Sequence, residues 1–275
     1  GTPGGPMAPD PTRRAMSYEN LLLETSGGIA TVTVNRPKVL NALNHQTLTE
    51  LARAFDACEA DPAVKLVIVT GSGEKAFVAG ADINELAKME AMEAKSKAFF
   101  GQQVFARLET MSKPSIAMIN GFALGGGCEL ALACTLRTAS KTAKLGLPEV
   151  SLGIIPGYGG TQRLARIAGP GVAREWVLTG DMIPAEEAWR VGVVNRLFAP
   201  EELREGTHKL AQSILSKGPV AVRLAIETIR RGLNMSQQEG EVIESDMFGL
   251  ASTTADMKEG MAAFLEKRKP NYQGK

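Results

Sequence analysis

The sequence predicts an α/β protein, and three observations support that prediction. Two short apolar runs, Lys65–Thr70 and Ser115–Asn120, are typical of strands covered on both faces, and each is ended by a glycine. The runs begin roughly 50 residues apart, and each is followed by a glycine-rich stretch and then by helical spacing. Of the 29 glycines, 15 fall between Gly71 and Gly171, where the backbone must turn sharply or approach a neighbour closely. We therefore expect a core of stacked, repeated units with its functional site in that glycine-rich part.

The composition limits the classes of protein and of site. The chain has 275 residues, 44% of them hydrophobic, so it can bury a large core without disulfides or metals. Its 31 basic and 30 acidic residues do not produce the broad field of a general nucleic-acid binder. Three cysteines, Cys58, Cys128 and Cys134, form no ligand cluster in the sequence, which predicts buried thiols and a cytoplasmic location. The two histidines, His45 and His208, belong to no recognisable motif, so carboxylates are the better candidates for acid–base chemistry.

The N-terminal part divides into a predicted leader and the start of the core. Residues 1–16 are rich in proline and glycine, and we expect a disordered leader with an expression scar before Met7. The leader lacks the apolar segment of a secretory signal. The folded part is expected to begin near Tyr18. Ile29–Val34 alternates at period two, which predicts a strand, and Thr47–Ala60 has the spacing of a helix with one apolar side.

The stretch from Ser115 to Thr135 is the most apolar part of the chain. Glu129 is its only charged residue in 21 positions. A membrane span is disfavoured by that charge and by the flanking proline, the asparagine and the glycine triplet. The pattern instead predicts a strand, a turn at Gly125–Gly127 and a buried helix over Gly127–Cys134.

Glu129 is therefore predicted to be a buried carboxyl group. Burial raises the pKa of a carboxyl group, which makes it useful as an acid or a base near neutral pH. A structural role is the alternative, in which Glu129 is hydrogen-bonded or paired with Arg137. The glycine triplet just before this helix has two readings as well. Its N–H groups could hold a phosphate or a developing oxyanion, or the glycines could serve tight packing between strand and helix.

A second carboxylate, Glu149, follows 20 residues after Glu129 among apolar neighbours. Two carboxylates in apolar surroundings, with an anion-binding turn close by, predict proton transfer next to a carbonyl group. Phe77–Asp82 forms a loop after the first buried strand and could offer another backbone N–H. Asp82 itself is expected to cap a helix that starts near Ile83.

The last part of the chain has a different character. After Glu201 the sequence reads as three or four helices, interrupted near Gly218–Pro219, Gly232–Asn234 and Ser252–Thr253, with 11 basic and 11 acidic residues. Such a helical appendage often serves packing or oligomerisation. We therefore divide the chain into the leader at 1–16, an α/β core with the active site at 17–200, and a helical oligomerisation region at 201–275.

Several motifs resemble those of the crotonase, or enoyl-CoA hydratase/isomerase, superfamily, and in particular its short-chain enoyl-CoA hydratases, also called 3-hydroxybutyryl-CoA dehydratases. The three central motifs are AGADIN at 79–84, NGFALGGGCELALA at 120–133 and PEVSLGIIPGYGGTQRL at 148–164. NRPKVLNALN at 35–44 and AFLEKRK at 263–269 extend the likeness, which covers Tyr18–Lys269 in order.

The resemblance implies a fold, a substrate and an assembly. The fold would be a crotonase-like spiral of ββα repeats followed by a helical trimerisation region. The substrate would be an acyl-CoA thioester, so CoA is part of the substrate and no metal or other cofactor is needed. Six subunits would assemble as a dimer of trimers, and neither nucleic acid nor a membrane would be a partner.

The resemblance also implies roles for individual positions. Glu129 and Glu149 match the paired catalytic glutamates, Ala81 and Gly126 the two oxyanion-hole amides, and Gly157 a backbone amide near the catalytic water. The positions that match contacts with CoA are Lys38, Ala81, Asp82, Ile83, Asn84, Phe264 and Lys267, of which the last two often come from a neighbouring subunit.

Both glutamates together favour a hydratase, which adds water across the double bond of a trans-2-enoyl-CoA from one face. A Δ3,Δ2-enoyl-CoA isomerase is the nearest alternative, because isomerases of this family usually work with one carboxylate near the Glu149 position. A remote alternative is the RNA-binding branch of the superfamily, with Lys95 and Lys97 beside Phe99 and Phe100. The net charge of +1 argues against it.

Three positions depart from the common family pattern. Thr135 stands where a carboxylate is frequent, Leu147 where an amide is frequent, and Asn84 where many relatives have lysine. These departures bear on the rate, the acyl preference and one contact with CoA. Residues 86–105, which are rich in methionine and phenylalanine, are expected either to wall the acyl pocket or to form an amphipathic helix that packs on its own core.

Overall fold

A computed structural model describes residues 17–275, so the leader predicted for residues 1–16 lies outside the described residues. The strands are β1 (Leu21–Ser26), β2 (Ile29–Val34), β3 (Leu66–Gly71), β4 (Ala76–Ala79), β5 (Ser115–Ile119), β6 (Phe122–Leu124), β7 (Leu136–Ser140), β8 (Lys144–Gly146), β9 (Ile183–Pro184) and β10 (Arg196–Phe198). The α-helices are α1 (His45–Ala60), α2 (Ile83–Leu86), α3 (Ala91–Thr110), α4 (Gly126–Ala133), α5 (Gly160–Thr179), α6 (Ala185–Arg190), α7 (Leu203–Leu215), α8 (Pro219–Gly232), α9 (Gln237–Ala251) and α10 (Ala255–Leu265). The strands and helices predicted before residue 135 are confirmed, with ends that differ by two residues or fewer. The loop predicted at Phe77–Asp82 is wrong for its first three residues, which belong to β4 because this segment pairs with β6.

The larger sheet has six strands in the order β1-β2-β3-β5-β7-β10, antiparallel between β1 and β2 and parallel elsewhere. Successive residues of β3 point to opposite faces. Val67 and Val69 join the apolar cluster that contains the buried side chains of α1, α3 and α4. Leu66 and Ile68 join a second cluster with Leu203 of α7. The prediction that this run is a strand covered on both faces is therefore confirmed.

A smaller sheet, in the order β4-β6-β8-β9, reveals the repeated unit of the fold. β3, β5 and β7 lie in the larger sheet, and the strand that follows each of them, β4, β6 or β8, lies in the smaller one. A helix then follows each pair of strands: α2 and α3 after the first pair, α4 after the second, α5 after the third. The chain thus repeats a ββα unit, as the resemblance implies.

The repetition has a consequence for function. The three strands of the smaller sheet that belong to these units, β4, β6 and β8, run parallel, so their carboxyl ends meet at one edge. The segments that follow these ends are the AGADIN loop, the glycine triplet and the PEVSL segment. All three central motifs therefore lie at the same edge of one small sheet.

The C-terminal region consists of four helices, α7 to α10, which is the larger of the two numbers predicted. Helix α7 packs against β5, β7 and β10, whereas α8 and α9 pack mainly against each other. The chain after α10 folds back along this helix. The Asp256 carboxylate in the first turn of α10 accepts hydrogen bonds from the N–H groups of Gln273 and Gly274 at 2.6 and 2.8 Å. The boundary at residue 200 between core and oligomerisation region stays a prediction.

The apolar stretch from Ser115 to Thr135 forms β5, β6 and α4, as predicted in place of a membrane span. Within residues 17–275, every helix is too short or too polar to cross a lipid bilayer.

Candidate active site

The glycine triplet at Gly125–Gly127 allows close packing of α4 on the smaller sheet, which is one of the two purposes that the sequence allowed, and its anion-binding role stays a prediction. A Cβ atom at Gly127 would overlap the carbonyl oxygen of Val78, so this glycine permits the close packing of α4 on β4. Gly125 has φ of 52° and ψ of −123°, a conformation that favours glycine, and it turns the chain from β6 into α4. Gly126 is the first residue of α4, where a backbone N–H has no acceptor within the helix.

Ala81 and Gly126 lie at equivalent places on neighbouring strands. Ala79 of β4 is paired with Leu124 of β6 in a parallel register, and Ala81 and Gly126 each follow two residues later. On its other side, Ala81 forms a parallel bridge to Leu43, through Leu43 N–H to Gly80 O at 2.9 Å and Asp82 N–H to Leu43 O at 2.8 Å. Since the residues flanking Ala81 make both of these bonds, its own N–H points to the opposite side. The two predicted oxyanion-hole amides thus belong to adjacent segments at one sheet edge.

Glu129 lies one turn into α4 and is 1% exposed. Its Oε1 accepts hydrogen bonds from the N–H groups of Tyr158 at 2.8 Å and Gly160 at 2.7 Å. Of the two structural alternatives, hydrogen bonding of Glu129 is therefore observed, whereas pairing with Arg137 does not occur, because that guanidinium donates instead to the carbonyl groups of Val193 and Cys134. Glu129 is therefore held by the backbone of another segment.

The surroundings of Glu129 favour its protonated form. Burial, together with the negative charge of Glu149, raises its pKa from 4.5 to about 7. The two amide hydrogen bonds and the positive charge of Arg163 oppose this rise in pKa. A carboxyl group with a pKa of about 7 can act as an acid or a base at neutral pH.

Glu149 lies in a 3-10 helix at Pro148–Leu152, directly after β8. Burial raises its pKa to about 7, and its buried Oε2 has no hydrogen-bond partner among the described residues. A Cβ atom at Gly125 would lie 2.8 Å from Glu149 Oε1, so the carboxyl group sits directly against the glycine turn. Both predicted glutamates therefore border the segment that carries Gly126.

The turn at 157–160 holds functional groups that the sequence reasoning missed. Only Gly157 was singled out there, yet the N–H groups of Tyr158 and Gly160 are the donors to Glu129. The carbonyl oxygen of Gly157 accepts a hydrogen bond from Gln102 Nε2 at 2.9 Å, which ties this turn to α3. The available signal was a second glycine-rich turn directly before a helix, of the same type as the triplet at 125–127.

The segment predicted to border CoA begins beside Ala81. Asp82 caps α2 by accepting a hydrogen bond from Asn84 N–H at 3.1 Å, which confirms the predicted cap. Asp82 also forms an ion pair with Arg36 at 3.3 Å. Ile83 and Asn84 are exposed on the same short helix. Lys38 is exposed in a 3-10 helix at residues 37–39, two residues along the chain from Arg36.

Phe264 and Lys267 lie apart from this segment. Phe264 is 82% exposed at the end of α10, and Lys267 follows in the left-handed region with φ of 54°. Within residues 17–275, α10 makes no extensive contact with any other helix or strand, and the Lys267 side chain forms no hydrogen bond or ion pair with the other predicted site residues. No hydrogen bond, ion pair or extensive packing contact among the described residues therefore joins Phe264 and Lys267 to the rest of the predicted site.

The departures from the family pattern are accommodated locally. Thr135 Oγ1 accepts a hydrogen bond from Ser115 N–H at 3.0 Å, so a hydroxyl group links the start of β5 to the end of α4. Leu147 is fully buried in the apolar cluster and packs beneath Gly160. In α3, Phe105 is fully buried against Tyr158, whereas Met92 and Phe99 are exposed. Phe105 thus packs on the core, which agrees with the expectation of an amphipathic helix at residues 86–105.

The three cysteines are free and buried, as predicted. Among residues 17–275, no three His, Cys, Asp or Glu side chains are grouped as a metal site would require. The candidate site consists of two carboxyl groups and backbone N–H groups.

The chain is similar to known proteins over most of its length. The profile of the enoyl-CoA hydratase/isomerase family matches residues 24–275. The chain is 52% identical to a crotonyl-CoA hydratase from Syntrophomonas wolfei, over 94% of this chain and 100% of that protein. It is 48% identical to a short-chain-enoyl-CoA hydratase from Clostridium acetobutylicum, over 92% of this chain and 97% of that protein. The crystal structure of an enoyl-CoA hydratase from Bacillus anthracis superposes with a TM-score of 0.90 at 39% identity, covering 94% of this chain and 100% of that one.

Proposed function

This chain belongs to the enoyl-CoA hydratase/isomerase family, and on that premise we propose the reaction it performs and the residues responsible. It is an enoyl-CoA hydratase, since relatives that share about half of its residues over nearly their whole length carry that activity in their names. Water is added to a trans-2-enoyl-CoA from one face to give a 3-hydroxyacyl-CoA. The preferred substrate has a short acyl group, because the two relatives are named as hydratases of crotonyl-CoA and of short-chain enoyl-CoA.

The thioester oxygen is bound by the N–H groups of Ala81 and Gly126. Addition of water at C3 moves negative charge onto that oxygen, so donors fixed in advance stabilise the transition state more than the ground state. The N-terminus of α4 contributes a further positive potential at Gly126. Loss of one such donor typically raises the activation free energy by roughly 2.7–4 kcal/mol.

Glu129 is the base and Glu149 is the acid. Two N–H donors stabilise the ionised form of Glu129, whereas the buried Oε2 of Glu149 has no donor among the described residues and favours the protonated form. Glu129 removes a proton from water as the water oxygen bonds to C3. Glu149 gives its proton to C2, and a proton passes from Glu129 to Glu149 to complete the cycle. No metal or redox cofactor enters, because these groups handle both the oxyanion and the protons.

The observation that carries this proposal is the pair of carboxyl groups next to the glycine turn, Glu129 buried and Glu149 half-buried, each with a pKa of about 7. An isomerase would need only the carboxyl group at position 149. The firmly held Glu129 therefore favours hydration over isomerisation.

The test follows the conjugated thioester absorbance of crotonyl-CoA in water with purified protein and no added metal or nucleotide. Loss of absorbance with formation of 3-hydroxybutyryl-CoA is expected. A parallel reaction with a 3-enoyl-CoA would reveal an isomerase by a gain of the same absorbance. A protein that acts only in the second reaction would contradict the proposed roles.

The proposed assembly is a dimer of trimers formed through the C-terminal helices. Exposed apolar side chains on α9 and α10 support it, among them Phe248, Met261, Phe264 and Leu265. In such an assembly, Phe264 and Lys267 of a neighbouring subunit contact the CoA moiety, together with Lys38 and residues 81–84. The cytoplasmic location stays a prediction that fits a chain with three free, buried thiols.

A further inference from the structure

A buried arginine lies directly behind the turn that holds Glu129. Arg163 is in the first turn of α5, and its side chain is only 12% exposed. Its Nη1 donates to the carbonyl oxygen of Tyr158 at 2.6 Å, and its Nη2 donates to Glu109 Oε2 of α3 at 2.7 Å. One guanidinium group thus joins the turn at 157–160 to a second helix.

The bonded carbonyl group lies between the two amides that matter for catalysis. Tyr158 N–H and Gly160 N–H both donate to Glu129, and the Tyr158 carbonyl that Arg163 binds belongs to the intervening backbone. Because each peptide unit is planar, the bond from Arg163 fixes the Tyr158 carbonyl together with the Gly159 N–H. The peptide units that carry the Tyr158 and Gly160 N–H groups are joined to this fixed unit through the Cα atoms of Tyr158 and Gly159, so its orientation limits the directions that both N–H groups can take.

The local backbone is shaped around this guanidinium group. Gly159 has φ of 102°, and a Cβ atom there would overlap Arg163 Nη1. The Nε of Arg163 is buried and has no hydrogen-bond partner among the described residues. Burial of an unpaired donor is unfavourable, so the Nε of Arg163 lowers the stability of the folded protein. Such a cost is expected where a site needs a fixed geometry.

From these contacts we infer that Arg163 is a positioning residue for hydration, which fixes the Glu129 carboxylate through the Tyr158–Gly160 backbone and is itself anchored by Glu109. The inference rests on the proposed role of Glu129 as the base. It adds a charged group from outside the substrate pocket to the machinery of the reaction.

Several charged or titratable groups face this arrangement and share in its electrostatics. Around Glu129 they are Glu149 from the 3-10 helix, Arg163 and Tyr158 from α5 and its preceding turn, and Cys128 on α4 itself. Around Arg163 they are Glu109 from α3 and Cys134 at the end of α4. Arg137, which acts on Cys128 and Cys134, and Glu85, which acts on Tyr158, belong to the same surroundings. Arg163 is the cation whose charge lowers the pKa of Glu129.

The test compares Arg163→Met and Arg163→Lys with Arg166→Met, which removes an exposed arginine that donates to Gln162 on the same helix. The readouts are kcat and KM for crotonyl-CoA, the pH profile of kcat/KM, and infrared titration of the Glu129 carboxylate, assigned by its loss in Glu129→Gln.

Arg163→Met should lower kcat by about tenfold or more, because a misdirected base loses its near-attack geometry. KM should stay near that of wild type, and the infrared titration and the low-pH limb of the profile should both move to higher pH. Arg163→Lys retains the charge but cannot reach both partners as a fork does. It should keep the titration near that of wild type while kcat still falls. Arg166→Met should resemble wild type in every readout.

The inference is overturned if Arg163→Lys has full kcat, or if Arg163→Met leaves the Glu129 titration where it is. If Arg163→Met does not fold, the lysine variant alone decides, because its kcat is expected to fall in a folded protein. The infrared titration does not depend on turnover. Wild-type protein without hydratase activity would therefore refute the proposed function separately from the effect of Arg163 on the Glu129 titration.

Discussion

Glu129 and Glu149 are carboxyl groups that the protein keeps in surroundings unfavourable to their charge. Their raised pKa values suit proton transfer at neutral pH, but they also affect folding. A carboxyl group that binds protons more tightly in the folded than in the unfolded state makes folding less favourable as pH rises. For Glu129, this loss of stability begins above its ordinary pKa of 4.5 and is complete above about 7.

Glu129→Gln should therefore be more stable than wild type at pH 8, by about 1–3 kcal/mol in the free energy of unfolding. The glutamine Oε1 can still accept from Tyr158 and Gly160, while the cost of ionising a buried group is removed. The advantage should shrink towards pH 5, where wild-type Glu129 is protonated. Urea unfolding at both pH values and one protomer concentration measures it, with the exposed Glu24→Gln on β1 as control. An equal difference at both pH values would contradict the assigned pKa.

The same substitutions test catalysis. Glu129→Gln and Glu149→Gln should each lower kcat by at least about a hundredfold, because an amide cannot exchange the proton that the step requires. KM for crotonyl-CoA should change far less, since the N–H groups of Ala81 and Gly126 remain. Steady-state kinetics at pH 7.5, with Glu24→Gln beside them, give the comparison. Near-normal turnover by either variant would show that the residue is not catalytic.

The sequence predicts the burial of Glu129 but not its hydrogen-bond partners, for a physical reason. The burial of Glu129 could be inferred because its neighbours along α4 are apolar. Its partners could not be inferred, because Tyr158 and Gly160 donate through the backbone and any residue type carries an N–H group. Arg163 stood within a quoted motif, but its contact with Glu109 depends on how α3 and α5 pack.

At the scale of elements, the turn from β6 into α4 combines two demands. Gly125 must adopt a positive φ, and it must leave space for the Glu149 carboxyl group. Gly153 also has a positive φ, of 73°, but a Cβ atom there would meet nothing within 4 Å. Gly153 therefore combines a positive φ with no contact, and its ψ of 18° places it in the left-handed region, which a non-glycine residue tolerates better than the conformation of Gly125 with ψ of −123°.

Gly125→Ala should lose most of the hydratase activity, because the new Cβ would lie 2.8 Å from Glu149 Oε1 and displace the carboxyl group. Gly153→Ala carries the strain of alanine at positive φ, roughly 1–2 kcal/mol, and should keep its kcat. Crotonyl-CoA kinetics and thermal unfolding of both variants distinguish the effects. Equal losses of activity in the two would attribute the effect to strain alone.

Three strands of the larger sheet, β2, β3 and β5, were predictable from the sequence, whereas the strands of the smaller sheet were not. β3 and β5 are apolar runs ended by a glycine or an asparagine, a pattern that is visible in one segment. β6 and β8 have three residues each, too few for a periodic signal. These short strands form because the ββα unit repeats and places them side by side, which is a property of the whole chain.

At the scale of the whole molecule, one chain provides the catalytic edge but not the complete predicted site. Glu129, Glu149, Ala81 and Gly126 converge at the smaller sheet, whereas Phe264 lies on α10 and Lys267 just after it, and α10 makes no extensive contact with any other described helix or strand. Apolar side chains are exposed on both α9 and α10, and Phe248 of α9 is 74% exposed. A second copy of the chain that covers this surface would bury it and could also bring α10 to a neighbouring site.

Wild-type protein should therefore sediment as an assembly of about six chains of 29.2 kDa, and Phe248→Glu should sediment as smaller species. A buried, unpaired carboxylate in an apolar interface is strongly unfavourable, so the substitution weakens association more than folding. The dissociated variant should show a higher KM for crotonyl-CoA, because the contacts from a neighbouring α10 are lost.

Leu22→Glu adds the same charge to an exposed leucine on β1 and serves as control. Sedimentation velocity and kinetics on both variants decide the matter. A wild-type monomer with an ordinary KM would mean that residues 264 and 267 have no part in binding CoA across subunits.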